Sequence, residues 1–251
     1  MRASLLFNPL DAVERLALAS QRWRRRRRLR GTPAADLSPG HLDSLELLEL
    51  LRISPPQVIH DVGANVGTWT RLAKAIFPEA AVEAFEPLEA QGAVFSERTS
   101  NLAGVRLHPV ALGPREGTVA LQVTDFPDAT SVLTLSEEGR RTFGVSPTED
   151  REVRMATLDR LIAEGIVQPP DLLKLDVQGY ELEVLKGGDQ ALRRARAVLC
   201  EVSFRSFYQG QAEFADIVAF LAARGFSLHA FGPSLVPGRP LAQADALFTR
   251  A

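Results

Sequence analysis

The sequence predicts a doubly wound α/β domain on a mostly parallel seven-stranded sheet with an antiparallel last strand, preceded by a helical N-terminal extension. Three observations point there. From residue 58 short apolar runs alternate with amphipathic stretches, as strands and helices of parallel βαβ units do. Two of the runs, Val58-Ile59-His60-Asp61-Val62 and Leu172-Leu173-Lys174-Leu175-Asp176, carry an aspartate at their end and lead into a glycine turn. The last two runs are joined by a Pro- and Gly-rich loop, Gly232 to Pro240, which favours an antiparallel hairpin at the sheet edge.

Composition sets the limits. The chain has 251 residues, 45% hydrophobic and 24% charged, the profile of a globular domain with a full core. A net charge of −2 gives no general affinity for nucleic acid, but it hides an asymmetry. Residues 1–30 hold nine arginines against Asp11 and Glu14. The lone Cys200 lies in an apolar run and reads as a buried small hydrophobe. The four histidines lack metal-ligand spacing, so no metal site is assigned. No apolar run approaches the ~20 residues of a membrane span. With no secretory pattern, a cytoplasmic location is expected.

Asn8-Pro9-Leu10-Asp11 reads as a helix start, with Asn as N-cap and Pro at the first helical position. That helix runs into Arg22–Arg30, which reads as a solvated extension or as a surface for anionic lipid or an acidic partner. Gly31 to Asp36 is a linker, and Ser38-Pro39 starts a leucine-rich helix to about Arg52. Residues 1–37 are therefore assigned to a basic extension and 38–251 to the domain. Strands are expected at 58–62, 81–86, 105–112, 172–177, 197–203, 227–231 and 246–250. Helices are expected near 68–77, 88–101, 181–192 and 212–224. The segment 113–160 interrupts the alternation with two extra strands, 118–123 and 151–155, and an insertion of that length suits a lid or a substrate loop.

The first glycine turn selects among cofactors. Gly63 fits the first position of a dinucleotide fingerprint, but Asn65 occupies the second glycine position and Thr68 the third. The second glycine is what lets the backbone approach a pyrophosphate. Asp61 would oppose an anionic pyrophosphate and favour an ammonium or sulfonium. S-adenosylmethionine carries both cations and no phosphate. Glu86 closes the next strand, placed to accept hydrogen bonds from ribose hydroxyls. An NAD-dependent oxidoreductase and a binding module without catalysis stay open as alternatives.

The chain resembles the FkbM family of S-adenosylmethionine-dependent methyltransferases. The likeness is carried by Asp61-Val62-Gly63-Ala64-Asn65-Val66-Gly67, Ala84-Phe85-Glu86-Pro87, Pro109-Val110-Ala111-Leu112-Gly113, Thr157-Leu158-Asp159-Arg160-Leu161, Leu199-Cys200-Glu201-Val202, and above all Leu173-Lys174-Leu175-Asp176-Val177-Gln178-Gly179-Tyr180-Glu181-Leu182-Glu183-Val184-Leu185-Lys186-Gly187. It spans roughly residues 45–250. The family generally carries Glu at the position of Gln178. The resemblance implies the class I methyltransferase sheet order with a reversed last strand. It also implies O-methylation of hydroxyls on sugars, glycans or secondary metabolites, with S-adenosylmethionine facing Asp61, Gly63, Gly67 and Glu86. Asn65 and Pro87 lie beside these residues, and the adenine would lie near Val110 and Ala111.

Methyl transfer to a hydroxyl needs a nucleophile held on the S–CH₃ axis and a base for its proton. Asp176 is the first base candidate and also borders the cofactor. Lys174, two residues back on the same face, tunes that charge or serves as a structural ion-pair partner. Glu201 is the second base candidate. Ser131, Gln178, Glu181 and Tyr208 are assigned to the acceptor side, although Glu181 also suits a helix N-terminus. His60 and His108 read as packed residues. The acceptor is a small molecule or glycan, no specific nucleic acid is expected, and a homodimer is left open.

Overall fold

The computed structural model describes residues 20, 23–38, 41–232 and 241–250. The expected start of the first helix at Asn8-Pro9 lies outside the described residues, as does Pro39. Residues 23–29 are helical (α1). Arg25 turns inward and makes a two-pronged contact with Glu46, Nε–Oε1 2.7 Å and Nη2–Oε2 2.6 Å. Leu29 and Ala34 join the core, so the stretch from α1 through the expected linker packs on the domain. The leucine-rich helix α2 is Leu45–Leu50, starting later than Ser38.

The main sheet contains β1 (Val58–Val62), β2 (Ala81–Phe85), β3 (Val105–His108), β7 (Leu172–Leu175), β8 (Ala197–Ser203), β9 (Phe226–Phe231) and β10 (Gln243–Arg250) in the order β3-β2-β1-β7-β8-β10-β9. Neighbours from β3 to β8 run parallel, and β10 is antiparallel to both β8 and β9. The expected edge hairpin is present, but its last strand is the inner one. β10 inserts between β8 and β9, which accounts for its buried Ala244, Ala246, Leu247 and Phe248.

Side-chain alternation along the strands covers both faces. Leu173 and Leu175 enter one core with Val198 and Cys200. Leu172 and Leu199 enter the other with Ile59 and Val82. The flanking helices are α3 (Thr68–Ile76), α4 (Glu89–Thr99), α7 (Glu181–Lys186), α8 (Asp189–Arg194) and α9 (Phe214–Ala222). The helix expected over 181–192 breaks in two because Gly187 passes Gly113, where a Cβ would lie 2.1 Å from the carbonyl oxygen.

The expected strand 105–112 also breaks. Pro109 offers no N–H to a ladder, and Ala111–Leu112 (β4) leaves for a second sheet. There it joins β6 (Pro147–Ala156) and β5 (Gly117–Thr124) in the order β4-β6-β5. Two unforeseen short helices lie in the insertion and at its end. α5 (Glu137–Phe143) is capped by Ser136, whose Oγ accepts from Gly139 N–H at 3.0 Å. α6 (Leu158–Ala163) is capped by Thr157, accepting from Arg160 N–H at 3.2 Å.

Candidate active site

The carboxyl ends of β1, β2, β7 and β8 open into one cavity of about 670 Å³. Register explains its deepest ion pair. Asp61 on β1 lies directly beside Lys174 on β7. Their side chains share a face, with Lys174 Nζ 3.1 Å from Asp61 Oδ1. Thr70 Oγ1, from the first turn of α3, donates to Asp61 Oδ2 at 2.6 Å. Lys174 Nζ also donates to Gly63 O at 3.3 Å and lies 3.5 Å from Asp176 Oδ2. Burial alone would depress the Lys174 pKa. The carboxylates of Asp61 and Asp176 outweigh it and hold the ammonium above the ordinary lysine value.

The two glycine turns touch. Gly63 sits at φ +79°, and a Cβ there would lie 1.9 Å from the carbonyl oxygen of Asp176. Only glycine lets the loop after β1 pass the loop after β7. Asn65 at φ +46° and Gln178 at φ +54° are the positive-φ residues other than glycine among the described residues, one in each turn. Such backbone costs on the order of 1–3 kcal/mol and persists where surroundings over-determine it.

Both residues are held accordingly. Asn65 N–H donates to Glu86 Oε2 at 3.0 Å, and its Nδ2 donates to Asp128 Oδ1 of the insertion at 2.7 Å. Gln178 O accepts from Ser131 Oγ at 2.7 Å, and its Oε1 accepts from Tyr208 Oη at 3.1 Å. The Gln178 Nε2 donates to Asp176 Oδ1 at 2.8 Å and to Glu201 Oε2 at 3.3 Å.

The profile of the methyltransferase FkbM domain matches residues 61–228. The chain belongs to the FkbM methyltransferase family. A 2-O-methyltransferase, NoeI, of Sinorhizobium fredii is 29% identical over 205 residues, covering 79% of this chain and 82% of that one. The 31-O-demethyl-FK506 methyltransferase FkbM of Streptomyces tacrolimicus is 27% identical over 221 residues, 78% and 82% of the two chains. A hexuronic acid methyltransferase, AglP, of Haloferax volcanii is 29% identical over 163 residues, 65% and 62%. In fold, the chain is similar to magnesium protoporphyrin IX methyltransferase of Synechocystis, solved with bound SAM, at TM-score 0.50 and 15% identity over 99% of this chain and 100% of that one. This FkbM methyltransferase thus has the class I fold expected from its sequence.

Most sequence-assigned positions of the FkbM domain line the cavity: Gly63, Asn65, Glu86, Pro87, Val110 and Ala111 toward β1 and β2, and Ser131, Lys174, Asp176, Gln178 and Glu201 toward β7 and β8. Four do not. Asp61 is wholly buried behind the wall, its carboxylate taken up by Thr70 and Lys174. Gly67 starts α3 and packs near Phe95. Tyr208 is wholly buried in a small core with Phe207 and Leu135. Glu181 folds back on its own turn, where Oε1 accepts from Val177 N–H at 2.9 Å and Gly179 N–H at 3.1 Å. His60 is buried, its Nε2 bonded to Gln168 O at 2.8 Å, and burial lowers its pKa to about 4. His108 pairs with Glu83 at 2.7 Å.

Burial raises the Glu181 pKa to about 7, despite the backbone N–H groups that oppose the rise. An acid raised on folding loses stability as pH climbs from its unfolded value toward its folded one. Glu181→Gln keeps the acceptor oxygen and removes the titration. Its expected result is a melting curve that gains on wild type by up to about 3 kcal/mol between pH 5 and 8. Parallel pH profiles for the two proteins would show that Glu181 does not titrate there.

Several wall residues escaped the sequence reading. Asp43 and Ser44, ahead of α2, line the cavity with Gln243 and Asp245 of β10. Ser44 Oγ donates to Asp245 Oδ2 at 2.5 Å, joining segments 201 positions apart. Asp245 pairs in register with Glu201, and burial raises its pKa to about 6. Burial and the nearby Asp176, Glu181 and Asp245 carboxylates raise Glu201 well above the usual range. Among the described residues, no group of three His, Cys, Asp or Glu is arranged to hold a metal ion.

Proposed function

We propose that this methyltransferase transfers a methyl group from S-adenosylmethionine to a hydroxyl of a sugar, a glycan or a secondary metabolite. The observation that carries the reading is one cavity shared by the Asn65–Glu86 end and by the carboxyl groups of Asp176 and Glu201. The names of two relatives place the methyl on oxygen, and a third acts on a hexuronic acid.

The residues present fit the cofactor. Asn65 Oδ1 and Trp69 Nε1 are buried polar atoms on the cavity wall without a hydrogen-bond partner among the described residues, one acceptor and one donor. Asn65 lies on the turn and Trp69 on the first turn of α3 that follows it, and together they would receive the amino-acid end. Glu86 is already oriented by the N–H groups of Asn65 and Leu88, leaving lone pairs for ribose hydroxyls. Phe85, Val110, Ala111 and Leu112 provide an apolar wall for the adenine. S-adenosylmethionine, when bound, supplies a methyl on a cationic sulfur and leaves as a neutral thioether.

The chain's own residues do the rest. Asp176, half-exposed to the cavity, accepts the proton of the acceptor hydroxyl as it attacks. Lys174 remains charged beside it and steadies the anion. Asp61 acts through Lys174 rather than by touching the cofactor. The insertion closes one side through Asp128, Thr130, Ser131 and Val132.

Calorimetry with S-adenosylhomocysteine and with NAD tests the cofactor. Binding of the first and not the second is expected, and binding of NAD alone would overturn the reading. Transfer of labelled methyl to methyl glycosides of hexoses and hexuronic acids separates an enzyme from a module that only binds.

A further inference from the structure

Gln178 was assigned to the acceptor side, yet its side chain is committed within the protein. Tyr208 Oη approaches Oε1 at 3.1 Å, and the same hydroxyl is 3.2 Å from Ala129 O. The opposite end of the amide faces Asp176 Oδ1 and Glu201 Oε2. An oxygen there would set acceptor against acceptor, so the nitrogen must occupy that position. The backbone is pinned as well, through Ser131 Oγ on Gln178 O. Gln243 Nε2 gives Glu201 Oε2 a second donor at 3.1 Å.

We infer that Gln178 is a positioning residue: its neutral amide bridges Asp176 and Glu201, on neighbouring strand ends, and holds both toward the acceptor. The inference rests on the proposed methyl transfer for its purpose, not for its geometry. The charged and titratable groups around Glu201 are Asp176 after β7, Lys174 on β7, Glu181 on α7 and Asp245 on β10, with Tyr208 behind Gln178. Of these four charged groups three are acids, and Lys174 is the one cation. A donor between Asp176 and Glu201 relieves their repulsion, whereas a carboxyl at position 178 would add to it. The bridge also joins the insertion, through Ser131, to the strand that carries Glu201.

Carboxyl-carbon NMR on protein labelled at Glu and Asp tests this without an acceptor, the Glu201 signal being identified by its loss in Glu201→Gln. Gln178→Leu removes the donor and is expected to move the Glu201 midpoint up by about one pH unit. Gln178→Glu keeps the size of the side chain and adds an acid, so the midpoint should rise further. Tyr208→Phe loosens the amide and should give a smaller rise. An unmoved midpoint in both position-178 variants overturns the inference. If Gln178→Leu does not fold, the near-isosteric Gln178→Glu decides alone. Calorimetry with S-adenosylhomocysteine on the same wild-type sample keeps the outcomes apart, because absent binding there sinks the proposed function and leaves the bridge standing.

Discussion

Asp61→Ala is expected to destabilise the fold by about 3–5 kcal/mol, the usual cost of removing one partner of a buried ion pair. Lys174, 5% exposed, would keep Asp176 at 3.5 Å, the carbonyl of Gly63 and the face of the Trp69 ring. Thr70 Oγ1 would lose its acceptor at the same stroke. In a chain of this size the loss corresponds to a fall of roughly 6–20 °C in Tm. The pH dependence carries a definite sign. Without Asp61 the folded pKa of Lys174 falls from its raised value, so the cost of the substitution is full below the unfolded lysine pKa and narrows as pH rises through it. The double variant Asp61→Ala with Lys174→Met should regain most of the loss. Equal melting of wild type and Asp61→Ala would mean that the pair is not the keystone of the two turns. Weaker S-adenosylhomocysteine binding is expected to accompany the single substitution, because the Gly63 turn rests on Lys174.

Asp176→Asn has the largest expected effect on rate. Removing a general base lowers turnover by about 10²–10⁴-fold. The substitution conserves shape and the contact with Gln178, so affinity for S-adenosylhomocysteine should stay nearly unchanged. Single-turnover transfer of labelled methyl, measured beside calorimetry, separates the two quantities. If the variant loses affinity and keeps its rate, Asp176 belongs to the cofactor and Glu201 becomes the base. The contrast with Asp61→Ala is the useful part: one change acts on the scaffold and the other on the chemistry.

Much of the fold and part of the site follow from local chemistry in the sequence. Short apolar runs alternating with helical stretches mark all seven main strands, and an acid beside a glycine turn marks β1 and β7. What stayed hidden was whatever depends on distant segments meeting. The reason for Gly63 is the carbonyl of Asp176, over a hundred residues away. Asp61 was read as a cofactor contact because nothing local shows that Lys174 lies beside it in the sheet. Asp245 falls outside the expected last strand, 246–250, because β10 starts three residues earlier at Gln243, and its partner Ser44 lies in the distant segment ahead of α2. Glu181 and Tyr208 have the chemistry of substrate contacts, but packing turned them inward.

The place of β10 has a consequence for synthesis on the ribosome. β8 and β9 are both made before the strand that separates them. A nascent chain that has emerged only to residue 242 offers β8 with a bare edge and lacks Gln243 and Asp245 on the cavity wall. Its two turns and its Asp61–Lys174 pair are already synthesised. The Asn65–Glu86 end of the cavity can therefore take shape while the wall beside Glu201 is still open, and only the final strand completes it.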